Sequence, residues 1–127
     1  MAGSYETTTD LWTYRDAETI GVDVQRGIDL AGWSVEALDG GIGKIDEATY
    51  DTPMSYIVVD TGPWILGKKV MLPAGVIERV DLDTETVYVS RTKDEIKNAP
   101  EFDEDSYRDE AYMSEVGGYY GGLGGRR

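Results

Sequence analysis

Between residues 30 and 91, apolar and polar positions alternate in short runs, the period of strands with one buried face. Trp33, Val35 and Ala37 alternate with Ser34 and Glu36, and Asp39-Gly40-Gly41 supplies the glycines of a tight turn. A second strand runs from Ile42 to Tyr50, and Asp51-Thr52-Pro53 breaks it because proline has no N–H to give to a ladder. Ser55 to Asp60 is a β-branched run of strand length, too short for a typical helix. Thr61-Gly62-Pro63 ends it, and Lys68 to Pro73, Val76 to Val80 and Thr86 to Ser90 supply the remaining strands. Five to six short strands joined by turns, with no crossover helix, predict an antiparallel sheet. So few residues bury it best by curling it into a small barrel.

After the strands, Thr92-Lys93-Asp94-Glu95 has capping-box spacing and predicts a short helix to about Asn98, which Pro100 terminates. Residues 103–127 are acidic, Tyr-rich and Gly-rich, and lose too much backbone entropy to order alone. Residues 1–29 form an acidic leader in which Leu11-Trp12-Thr13-Tyr14 stands out as apolar and aromatic, with Ile20, Val22 and Val24 alternating after it. The organisation expected is an N-terminal arm (1–29), a β domain (30–102) and a C-terminal tail (103–127), both ends extended.

Composition narrows the chemistry. The chain of 127 residues contains no cysteine and no histidine. Disulfides, thiolate nucleophiles, His-based acid–base pairs and imidazole metal ligands are therefore absent. The net charge of −13 repels phosphate, so nucleic acid and anionic membranes are poor partners. No window approaches the roughly 18 consecutive apolar residues of a membrane-spanning helix. The first residues, Met1 to Glu6, have no basic region followed by an apolar run, so no signal peptide is expected and the expected location is the cytoplasm.

Residues 30–102 resemble the PRC-barrel domain, most closely its short, free-standing actinobacterial type. The resemblance rests on Leu30 to Val35, Asp39-Gly40-Gly41-Ile42-Gly43-Lys44-Ile45-Asp46-Glu47, Tyr56 to Trp64, Lys69-Val70-Met71-Leu72-Pro73 and Ile96 to Phe102. It implies a small β-barrel like those of the photosynthetic reaction-centre H subunit and a ribosome maturation factor, where the domain is a docking platform. It implies no catalytic residue and no cofactor. The membrane helix of the first and the partner domain of the second are missing from this chain, so neither specific function carries over.

Four segments are candidate sites. Trp64, Ile65 and Leu66 lie in a loop bounded by glycines, where they either anchor an interface or fold back to plug the barrel end. Asp81, Asp83 and Glu85 set oxygens at alternate positions like the start of a calcium loop, but the sixth position holds Thr86 and the twelfth Thr92. A solvated hairpin turn fits better than a metal site. Trp12 and Tyr14 in the arm, and Tyr112, Tyr119 and Tyr120 in the tail, are candidate interface aromatics; the arm can instead pack on its own sheet, which costs no translational freedom. Carboxylates are scattered without a distinct pair, and Lys44, Lys68 and Lys69 read as solubilising charges on strand edges. The expected function is a non-catalytic protein-binding or self-assembly module, with itself among its partners. The alternatives are a small-ligand or metal-binding domain, or an accessory factor in ribosome or membrane-complex assembly.

Overall fold

The computed structural model describes residues 11, 12, 14, 29–49, 55–62, 69–102, 105 and 107–122. Six strands form where the alternation predicts them: β1 (Ser34–Ala37), β2 (Gly40–Ala48), β3 (Tyr56–Asp60), β4 (Lys69–Pro73), β5 (Ile77–Asp81) and β6 (Thr86–Val89). They make one sheet in the order β4-β3-β2-β1-β6-β5. Four of the pairings are antiparallel, but β1 and β6 run parallel, with Ser34 opposite Thr86 and Val35 opposite Val87. The sheet is therefore mixed, a correction to the purely antiparallel expectation. The antiparallel pairs join strands that follow one another in the chain, whereas β1 and β6 meet through the rest of the sheet, which no local pattern encodes.

The edges of the sheet are β4 and β5, yet only the 3-10 turn Ala74–Val76 separates them in the chain. Six strands laid flat would span about 24 Å at ~4.8 Å per strand. The link from Pro73 to Ile77 reaches at most about 14 Å. The sheet must therefore curl until its edges approach, and the Ala74 amide donates to the Ser55 carbonyl while the Ser90 amide donates to that of Val76 at this corner. No ladder joins β4 to β5 among the described residues, so the sheet is curled but open, and the closed barrel is not confirmed.

One glycine shows why the β1–β2 element tolerates little change. Gly43 sits at φ +146° beside a bulge in β1, and a β-carbon there would stand 2.1 Å from the Asp60 carbonyl oxygen of β3. Only the absence of a side chain lets β2 lie against β3 at this point.

Two helices follow the sheet: α1 (Lys93–Lys97) and α2 (Glu110–Gly122). The α1 capping box forms as the spacing predicts, the Glu95 amide donating to Thr92 Oγ1 at 3.1 Å and the Thr92 amide to Glu95 Oε1 at 2.9 Å. Helix α2 departs from the expectation of an extended tail. Tyr112, Met113, Val116 and Tyr120 repeat at helical spacing along one stripe and are buried against the sheet, with α2 lying on β4. Burying a large side chain is worth about 1.5–3 kcal/mol, enough for four of them to offset ~1 kcal/mol of backbone cost at each glycine. Trp12, Tyr14 and the α2 residues belong to the same hydrophobic core as the strands. The described parts of arm and tail are thus built into the fold.

Candidate functional site

The sequence candidates are distributed as follows. Trp12 and Tyr14 are buried: the Trp12 carbonyl accepts from the Ser55 amide at 2.7 Å, and the Tyr14 hydroxyl donates to the Thr49 carbonyl at 2.7 Å. The arm therefore packs on its own sheet at these residues, beside the start of β3. Tyr112 and Tyr120 are buried too, while Tyr119 is half-buried and donates its hydroxyl to the Glu95 carbonyl at 2.6 Å, joining α2 to α1. Trp64, Ile65 and Leu66 lie outside the described residues, as do Lys68 and Ile20, Val22 and Val24.

The acidic turn behaves as a hairpin turn. Asp81 Oδ1 accepts from the amides of Asp83 and Thr84 at 2.9 and 3.3 Å, which closes the loop between β5 and β6, and Glu85 takes a left-handed φ of 52°. Among the described residues, no group of three or more acidic side chains is arranged to hold a metal ion.

Two polar clusters emerge that the sequence pattern did not single out. The first joins β2, β3 and the segment before α2. The Tyr107 hydroxyl donates to Glu47 Oε1 at 2.8 Å and Arg108 Nη2 to Glu47 Oε2 at 2.9 Å, while the Arg108 guanidinium stands 4.6 Å over the Tyr107 ring. Phe102 and Tyr56 close the ring on two sides, at centroid separations of 4.9 and 6.2 Å. Burial, then the hydrogen bond to Glu47, pushes the Tyr107 hydroxyl up to about 12, because a phenolate there would lose hydration and face a carboxylate. Hydrogen bonds with Tyr56 and Glu47 hold the exposed Arg108 guanidinium more firmly in its charged form.

The second cluster is internal. Arg91 is buried at the end of β6, where Nη1 donates to the Ser90 carbonyl and Oγ, both at 2.9 Å, and Nη2 to the Tyr120 carbonyl at 3.4 Å. That carbonyl lies in the last turn of α2, where a cation complements the helix dipole. The Tyr120 hydroxyl is buried with no hydrogen-bond partner among the described residues, and burial drives its pKa upward. Both clusters fasten the C-terminal segment to the sheet: the first ties it to β2 and the second to the end of β6. Their one available signal in the sequence was an unpatterned Glu, Arg or Tyr, which is indistinguishable from a solvated surface residue.

What remains for recognition is the rim of the sheet. Helix α2 contacts β4, and Lys69 on that strand pairs with Asp46 at 3.1 Å in an exposed ion pair of small energetic weight. At the opposite edge, β5 carries exposed Glu78 and Arg79 and pairs on one side alone among the described residues. Arg79 leans over β6, its guanidinium 4.0 Å above the Tyr88 ring and 3.9 Å from Asp81. Leu82, at the end of β5, is 52 % exposed, and Leu38 in the β1–β2 turn is exposed as well. No helix among the described residues is long and apolar enough to cross a membrane.

No protein-family model matches the chain, and no curated protein matches it.

Proposed function

We propose that this protein is a non-catalytic protein-binding or assembly module built on a PRC-type β domain. The observation that carries this reading is the difference between the two end strands of the sheet: β4 contacts the chain's own helix α2, whereas β5 pairs on one side alone among the described residues and has an exposed leucine just after it. A strand edge without a neighbour is a template for a further strand, and so a surface suited to docking. The resemblance of residues 30–102 to a domain that serves elsewhere as a docking platform points the same way, by analogy of fold. Trp12, Tyr14, Tyr112 and Tyr120 belong to the same hydrophobic core as the strands, so the described parts of arm and tail are part of that domain.

Sedimentation of the full chain at low and high salt, combined with cross-linking in cells, tests the proposal. Docking to another protein gives a defined cross-linked species. Self-assembly gives a concentration-dependent oligomer that strengthens with salt, because screening relieves the repulsion between two chains of charge −13. A monomer at every concentration, from which no protein is recovered by cross-linking, overturns it.

A further inference from the structure

Helix α2 is held differently from the strands. Each strand shares a backbone ladder with a neighbour, whereas among the described residues no backbone hydrogen bond joins α2 to a strand. Its polar ties run through side chains: the Tyr112 hydroxyl donates to the Pro100 carbonyl at 3.4 Å, the Tyr119 hydroxyl to the Glu95 carbonyl, and Arg91 Nη2 to the Tyr120 carbonyl. Of its 13 residues, Gly117, Gly118, Gly121 and Gly122 recover the most backbone entropy when a helix melts. The Tyr120 hydroxyl is buried without a hydrogen-bond partner among the described residues, so opening of the helix returns it to water. Packing of Tyr112, Met113, Val116 and Tyr120 closes the helix, while the sheet keeps its own ladders without it.

The segment just before α2 is fastened separately. Tyr107 and Arg108 both donate to Glu47 of β2, and the Tyr107 ring packs on Tyr56 and Phe102. An attachment that ends at Arg108, followed by a weak helix from Glu110, places a hinge at Asp109. We infer that α2 is a hinged strap. It opens as one unit about Asp109 while the sheet and the attachment of Tyr107 and Arg108 to Glu47 stay formed. Opening uncovers β4, which α2 contacts, and Trp12, whose indole lies against Gly117. This device is independent of the docking reading above and stands or falls on its own experiment.

Amide hydrogen exchange of the isotopically labelled full chain, followed by NMR in increasing urea, tests it. The amides of residues 114–122 are expected to exchange at least about a hundredfold faster than those of Val58 and Val59 in β3. Their exchange should also depend less on urea, because the local opening exposes less surface than global unfolding. The Trp12 indole proton, sheltered by Gly117, is expected to follow the α2 amides. The double variant Gly118→Ala, Gly121→Ala, whose methyl groups meet open space, slows exchange in α2 about tenfold. Asp81→Ala loosens the β5–β6 turn, which is the same whether the strap is open or closed, and leaves the α2 rates unchanged. A single opening shared by α2 and β3, with one urea dependence, overturns the inference. So do α2 amides with no protection in the unsubstituted chain, α2 rates raised by Asp81→Ala, or a Trp12 indole proton that follows β3.

Discussion

The indole Nε1 of Trp12 lies 3.1 Å from the point where a β-carbon on Gly117 would stand. The N-terminal arm and the C-terminal helix, more than a hundred residues apart in the chain, therefore meet through a glycine that admits the indole. Trp12 has little room to give, being 2 % exposed and tied through its carbonyl to Ser55. Gly117→Ala gains up to ~1 kcal/mol of helix propensity but crowds a packed indole, and a net loss of about 1 kcal/mol is expected. Gly118→Ala, with open space around the new methyl group, gains about 0.5–1 kcal/mol. Urea unfolding of the two variants side by side checks the difference in sign.

Gly43→Ala is the most damaging single change expected. Its β-carbon would meet the Asp60 carbonyl oxygen at a φ that L residues rarely adopt, so β2 and β3 must separate or the bulge must rearrange. A loss of at least about 3 kcal/mol is expected, and thermal melting monitored by circular dichroism detects it.

Glu85→Gly should stabilise the β5–β6 hairpin. Glu85 holds a left-handed φ of 52° that glycine adopts without cost, and relief of about 1 kcal/mol follows. Because the Asp81 carboxylate closes the turn, Asp81→Ala should cost about 1 kcal/mol in the same denaturation assay.

The Tyr107 hydroxyl gives the fold an alkaline limit. Its folded pKa is raised above the ordinary 10 to about 12, by burial first and the Glu47 hydrogen bond second. Between those values the unfolded chain releases a proton that the folded chain keeps, so stability is whole below pH ~10 and falls as pH rises towards 12. Tyr120, whose pKa is also raised by burial, adds to the fall. Tyr107→Phe should cost about 1 kcal/mol at neutral pH through the lost hydrogen bond, and should lessen the alkaline slope by at most about 1.4 kcal/mol per pH unit. Unfolding curves of both proteins across that range check the sign.

The amino-acid sequence by itself determined the local elements. The alternation from Trp33 to Ala37 and the β-branched run before Asp60 placed strands, because strand period acts between near neighbours, while the glycines after Asp39, expected in the turn, begin β2 instead. Thr92 and Glu95 placed α1 for the same reason, their side chains closing backbone groups three residues away. Tertiary structure alone decided the rest. The parallel pairing of β1 with β6 joins residues some fifty positions apart, and its register depends on the strands between them. The helix of residues 110–122, glycine-rich and weak by propensity, forms because Tyr112, Met113, Val116 and Tyr120 find the sheet and Trp12 waiting to be covered. The burial of Trp12, Tyr14, Tyr112 and Tyr120 in the core comes from the same contacts, since burial is a property of the assembled chain and a lone Trp or Tyr carries no mark of what it will touch.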